Sequence, residues 1–197
     1  RPEALDRGHA DTWDSGRTAG PQPVEVVYDG RPLASRTPYH WRVRVWDRQG
    51  RPSSWSAPAV FETAFLDPAE WAARWVNDGK PNPTSDEAFY DEDPAPLFRR
   101  EFELSAAVTR ARLYVSGLGY YEASLNGERV GDHVLDPGWT MYGKRVYYST
   151  YDVTRQLRRG RNCLGVTLGN GWYNPLPLRM WGRLNLREHL VVGRPRF

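Results

Sequence analysis

Hydrophobic and polar residues alternate with a period of two along much of this chain. In residues 39–45, Tyr39, Trp41, Val43 and Val45 fall on one face while His40, Arg42 and Arg44 fall on the other. That alternation predicts a half-buried antiparallel strand. Further strands are expected at residues 24–28, ended by Asp29-Gly30, and at residues 60–64, with a short one at residues 11–14. Alternation resumes at residues 97–104, and strands follow at residues 111–115, 120–125, 146–151 and 162–168. Gly117, Asn126-Gly127, Asp136-Pro137-Gly138 and Arg159-Gly160 separate them. Asn126-Gly127 is the strongest hairpin signal, because both residues tolerate the positive φ of a type I′ turn. Many short strands joined by such turns predict an all-β chain of two sandwiches, the second of jelly-roll type.

Between the strand-rich regions the pattern changes. Asp67 and Pro68 are suited to the N-cap and first position of a short helical turn running through Trp71 and Trp75. From residue 77 to 96 the composition shifts to Pro, Asp and Glu, which predicts an exposed, solvated loop. Its Asp86, Glu87, Asp91, Glu92 and Asp93 lack the order of an EF-hand calcium loop. The expected organisation is a first sandwich over residues 1–66, a linker over 67–76 and a second sandwich over 77–197.

Composition narrows the chemistry. The net charge is only +3 and the arginines are interspersed with acidic residues, so nucleic acid is not an expected partner. No apolar run approaches the roughly 20 residues of a membrane helix. A soluble protein is expected, cytoplasmic or secreted; a signal segment upstream is left open because the chain does not begin with Met. The single cysteine, Cys163, excludes an internal disulfide and any cysteine-based zinc site, and its apolar surroundings predict a buried small hydrophobe. His9, His40, His133 and His189 have no mutual metal-ligand spacing, and no phosphate loop or nucleophile motif occurs. The informative excess is aromatic: nine Trp and eleven Tyr against six Phe. These side chains suit both sandwich cores and surfaces that stack on sugar rings.

Two resemblances follow. Leu33, Tyr39, the Trp-Arg-Val-Arg-Val strand, Gly50, Ser53 and Ser56 resemble the late half of a fibronectin type III or immunoglobulin-like sandwich. Tyr39 is its expected tyrosine corner, bonding through its hydroxyl to the upstream backbone. Only four or five of about seven strands are found, so the first strands are expected upstream of Arg1. Further on come Gly119–Glu122, Leu125–Gly127, Val130–Asp132, Pro137–Thr140, Tyr151–Thr154 and Leu168–Tyr173. In that order they resemble the N-terminal β-sandwich of bacterial α-L-rhamnosidases, inverting hydrolases that remove terminal α-L-rhamnose. The resemblance implies that the acid and base, which in such enzymes stand roughly 6.5–9.5 Å apart, belong to a separate (α/α) barrel beyond Phe197. The second sandwich is then expected to be cut short at its C-terminal end. Glu122 and Asp136 are assigned to strand and turn, and no catalytic residue is expected here.

This portion is therefore expected to brace the barrel or to aid recognition of rhamnose-containing glycosides or polysaccharide. An independent carbohydrate-binding module and a pure scaffold are the alternatives. The candidate sugar contacts are Asn170, Trp172, Tyr173 and Asn174, with Trp139, Tyr142, Trp181 and Arg183 as neighbours. No cofactor is required. The resemblance allows calcium, with Asn126, Asp136, Asn170 and Asn174 as oxygen donors. The competing expectation is structural, with Asn170-Gly171 forming a turn that seats Trp172 and Tyr173 in the sandwich or on the barrel.

Overall fold

The computed structural model describes residues 5, 10–18, 26–180, 182 and 184–197. The chain forms two compact units, Arg1–Ala73 and Arg74–Phe197.

In the first unit, β1 (Pro38–Trp41) pairs antiparallel with β2 (Ala59–Glu62), placing Tyr39 opposite Phe61. The pairing continues past β1 through serines. Val43 and Val45 N–H groups donate to the Ser56 and Ser53 hydroxyls, both at 3.1 Å, and the Ser56 and Ser53 N–H groups donate back to the Val43 and Val45 carbonyls. Three residues on one side (43–45) thus face four on the other (53–56), a bulge that ends regular pairing. Tyr39 stands at the expected corner: its hydroxyl accepts the Ala34 N–H at 2.8 Å. Thr63 secures the same turn, donating its hydroxyl to the Ala34 carbonyl and accepting the Thr37 N–H. Tyr39→Phe removes the acceptor and is expected to cost about 1 kcal/mol. Hydrogen exchange at the Ala34 amide should accelerate about fivefold, and an unchanged rate would show that the corner carries no tension.

The sequence pattern and the structure part ways at three places in this unit. Trp41, Val43, Val45 and Phe61 share a face, yet they are 44–68% exposed, because no second sheet covers them among the described residues. Residues 11–14 and 26–28 form no strand, and residues 24–25 lie outside the described set. At the junction Asp67 does cap, accepting the Ala69 N–H at 2.9 Å, but the 3₁₀ turn spans only Pro68–Glu70 and Trp71 is already extended.

The second unit contains a four-stranded sheet in the order β3 (Leu97–Leu104), β8 (Gly160–Gly169), β5 (Tyr120–Leu125), β6 (Glu128–Arg129). A separate pair joins β4 (Arg112–Ser116) to β7 (Tyr148–Asp152), and β9 (Arg179–Met180) pairs with β10 (Leu184–Asn185). A single helical turn, Leu186–His189, follows β10. The core lies between the first two sheets: Tyr121, Ala123, Leu125, Val166 and Leu168 meet Val115, Tyr151 and Val153. Alternation explains this, since Tyr121↔Leu168 and Ala123↔Val166 are register partners and so share a face. The same register turns Cys163 outward, where it is only partly covered instead of buried as its apolar neighbours predict. The β5–β6 turn has positive φ at Asn126 (55°) and Gly127 (87°), as a type I′ hairpin requires.

The acidic 77–96 stretch is largely exposed, as its composition predicts, but it is pinned at Asp78 and Asp93. The Arg194 guanidinium binds Asp78 through two nitrogens and also binds Asp93, with Lys80 3.2 Å from Asp93. Hydrogen bonds from Arg194 outweigh the opposing effect of burial and hold both carboxyls below their ordinary range. Beside this clasp Val76 and Phe197 exchange both backbone hydrogen bonds.

Candidate functional site

Strand β8 delivers the chain into Asn170 and a 3₁₀ turn, Gly171–Tyr173. The turn passes close to the start of β5: a Cβ on Gly171 would lie 3.1 Å from Gly119 Cα, and Gly171 has φ +51°. This approach fixes which side chains face inward. Tyr173 is 7% exposed, packs edge-on against Tyr142 at 5.5 Å, and its hydroxyl accepts from Arg196 at 3.3 Å. Asn174 is 5% exposed; it donates to Asn170 Oδ1 at 3.0 Å and accepts from Arg187 Nη1 at 2.8 Å. Tyr173 and Asn174 therefore lie inside the unit with their polar groups engaged, not on an open surface. Arg187 is itself boxed in, its guanidinium 4.0 Å from the Phe89 ring centre and donating to the Pro175 carbonyl.

Trp172 goes the other way. It is 41% exposed and meets Trp139, 52% exposed, with ring centres 5.5 Å apart and planes inclined by 32°. Two loops distant in sequence thus share an aromatic surface. Met141 and Val191 are also more than half exposed, and a Cβ on Gly143 would touch Val191 at 3.4 Å. Trp181 and Arg183 lie outside the described residues. Near Asn170 there is a cavity of about 80 Å³ bordered by Asp93, Pro96, Leu168 and Arg194. Pockets that enclose drug-sized ligands measure roughly 300–1,000 Å³, so any sugar contact at this loop is made on an open face.

Asp136 sits in a different setting. Its Oδ2 accepts from the Tyr121 hydroxyl at 2.9 Å and from the Tyr151 hydroxyl, and stands 3.3 Å from His133 Nδ1. Its own carbonyl takes the Tyr121 N–H at 3.0 Å. Burial alone would raise the Asp136 pKa, but hydrogen bonds from Ser149, Tyr151, Tyr121 and His133 together bring it below the ordinary carboxylate value. Burial, with the carboxylate beside them, pushes both phenols up. The group is held as an anion, the reverse of what a general acid requires. Glu122 is solvent-exposed and 3.3 Å from Arg129.

The four candidate calcium donors do not converge. Asn126 accepts the Cys163 N–H at 2.9 Å and donates to the Gln156 carbonyl and Asn162 Oδ1. Cys163 lies six residues along β8 from Gly169, about 20 Å at the rise of a strand, so Asn126 cannot share an ion with Asn170 or Asn174. Asp136 belongs to the tyrosine cage. Among the described residues no group of three His, Cys, Asp or Glu could hold a metal ion.

Asn162, which the turn and motif patterns leave unremarked, is central. It is 2% exposed, accepts from Asn126 and the Arg158 N–H, and donates to the Arg158 and Gly160 carbonyls. An Asn in register with the inward-facing Leu164, Val166 and Leu168 is the signal that would find it, because a polar residue at a core position needs a full set of partners.

Comparisons with known proteins agree with this architecture. Residues 106–189 match the α-L-rhamnosidase N-terminal domain, and residues 3–67 match the Rha78A-like N-terminal immunoglobulin domain. An α-L-rhamnosidase of Formosa agariphila is 41% identical over 185 residues, which cover 87% of this chain and 19% of that protein. One of Alteromonas sp. (strain LOR) is 35% identical, with 88% and 19% covered. The solved α-L-rhamnosidase from Dictyoglumus thermophilum matches with a TM-score of 0.77 at 40% identity, over 87% of this chain and 20% of its own. The Streptomyces avermitilis α-L-rhamnosidase complexed with L-rhamnose reaches a TM-score of 0.78 over 98% of this chain and 34% of its own, and at 24% identity shows the fold alone. The chain spans about a fifth of the length of these curated relatives. With an immunoglobulin-like unit followed by a rhamnosidase N-terminal unit, the chain carries the N-terminal domains found in α-L-rhamnosidases.

Proposed function

We propose that this chain is the non-catalytic N-terminal portion of an inverting glycoside hydrolase that removes terminal α-L-rhamnose, and that its second unit braces the catalytic barrel. The observation that carries the bracing role is the exposed Trp139–Trp172 pair, with exposed Met141 two residues along the chain from Trp139. Two large exposed aromatic side chains brought together from separate loops mark an interaction surface more than an ordinary exterior. Absence of catalysis is supported by the state of the two carboxylates considered above: Asp136 is held ionised and Glu122 is a solvated partner of Arg129.

A second reading has its own observation. Exposed indoles 5.5 Å apart can also stack against the C–H faces of a sugar. The Trp139→Ala/Trp172→Ala double variant of the full-length enzyme separates the two. Bracing predicts a stability loss of about 2 kcal/mol, with kcat/KM for an aryl α-L-rhamnoside unchanged per folded molecule. Sugar recognition predicts unchanged stability and a raised KM for the rhamnoside. Saturable binding of L-rhamnose by the present chain, with or without calcium, and lost on Trp172→Ala, would favour recognition over bracing. Hydrolysis of the aryl rhamnoside by the present chain alone would overturn the non-catalytic assignment.

A further inference from the structure

The first unit carries an alternating stack of cations and aromatic rings that sandwich packing does not use. Strand alternation sends Arg42, Arg44 and Trp46 to the face opposite Trp41, Val43 and Val45. The 47–52 hairpin then returns the chain so that Trp55 meets them. The Asp47 carboxylate fixes that hairpin by accepting the Gln49 and Arg51 N–H groups, both at 2.9 Å. The resulting order is Arg42, Trp55, Arg44, Trp46, Arg17. The guanidinium carbons lie 4.5 and 4.4 Å from the Trp55 ring centre, then 5.0 and 5.8 Å from that of Trp46.

Arg42 and Arg44 thus both lie against Trp55, and Arg44 and Arg17 both lie against Trp46. Like charges gathered on one aromatic pair repel, and cation–π contact offsets the repulsion without neutralising it. Two other arginines of this unit have carboxylate partners: Arg51 pairs with Asp47 at 2.7 Å and Arg36 with Glu70 at 3.6 Å. Arg17, Arg42 and Arg44 have none among the described residues, and each is at least partly exposed.

Stacking also determines what these groups present. A planar guanidinium lying on a ring has its N–H donors directed outward from its edge, in the fork that fits a carboxylate or sulfate. Its rotamer freedom is already spent, which lowers the entropic cost of binding. A neutral sugar stacking on Trp55, which is 39% exposed, would have to compete with two guanidinium groups for the ring, whereas an anion would pair with them. We infer that the Arg42–Trp55–Arg44–Trp46–Arg17 ladder is a binding surface for acidic polysaccharide, with stacked guanidiniums gripping carboxylate or sulfate groups on an extended chain. The choice of a saccharide rests on the glycoside hydrolase reading; the anion preference rests on the ladder alone.

The test titrates the 197-residue chain with polygalacturonate, dextran sulfate, neutral dextran and single-stranded DNA at low and moderate salt. Binding to both acidic polysaccharides, weakened by salt, and no binding to neutral dextran are expected. The R42Q/R44Q variant should bind polygalacturonate at least tenfold more weakly. Wild-type affinity in that variant, or equal binding to neutral dextran, would overturn the inference. Binding to DNA as tight as to both polysaccharides would overturn the saccharide assignment and leave a general polyanion surface. If circular dichroism shows the variant unfolded, the Trp46 and Trp55 indole NMR signals of the unmodified chain decide. They should move on adding polygalacturonate and stay fixed with neutral dextran; unmoved signals in both arms would reject the site. Free L-rhamnose should compete in neither arm, which keeps this result independent of whether Trp139 and Trp172 contact rhamnose.

Discussion

Asp136→Ala is expected to lower the stability of the second unit by about 3 kcal/mol, because it leaves two buried phenols without their shared acceptor. The side chain is 14% exposed, so solvent replaces little of what is lost. Asp136→Asn keeps the shape and one acceptor oxygen and should cost less, about 1–2 kcal/mol. The effect has a defined pH dependence. Hydrogen bonding depresses the folded-state pKa of Asp136, so its contribution is fully present above the ordinary carboxylate range and is lost as pH falls through the folded value. The gap between the unsubstituted chain and Asp136→Ala should therefore be constant near neutrality and close only below about pH 4. Urea titrations across this range, followed by hydrogen exchange of β5 and β7 amides, measure it. A gap that instead widened on acidification would mean that Asp136 is protonated in the fold.

Leu168→Ala should be the most damaging single change, at about 3–4 kcal/mol. Leu168 is 1% exposed and sits opposite Tyr121 in the central strand pair. Strands on both sides of β8 hold its backbone, since β3 and β5 each pair with it along most of its length. The site has little room to collapse around the lost methyls, which places the cost in the upper part of the usual range for such truncations. Leu168→Met, which preserves volume, should cost less than about 1.5 kcal/mol. Native-state exchange of the β8 amides reads both, and a loss under 1 kcal/mol for the alanine variant would show that the two sheets close the gap.

Much of this fold is legible in the sequence, and the limit of legibility is instructive. Alternation identifies which residues share a face in β5 and β8, and Asn126-Gly127 identifies the hairpin, because both are local consequences of backbone geometry. Tyr39 is legible as a corner for the same reason: its partner is five residues away. Alternation cannot say whether a face is covered, so Trp41, Val43 and Val45 read as half-buried although they are open among the described residues. Nor can it say which side of β8 faces the core, which is why Cys163 is outward. The Trp139–Trp172 pair, the Asp136 cage and the Arg194 clasp join positions 33, 15 and 30, and 116 and 101 residues apart in sequence, as only the folded chain can. Of the loop proposed for sugar contact, residue type foresaw the aromatic character, but the direction of Trp172 against Tyr173 depended on how closely Gly171 approaches Gly119.

The Arg194 clasp and the Val76–Phe197 backbone pair bring residues 76–78 alongside residues 194–197. Two stretches joined in this way act mechanically as a latch. Pulling on the chain from both sides loads two backbone hydrogen bonds and one arginine with its two aspartates, while the four-stranded sheet carries almost no force. The clasp should open first and reversibly, at high salt more readily than at low.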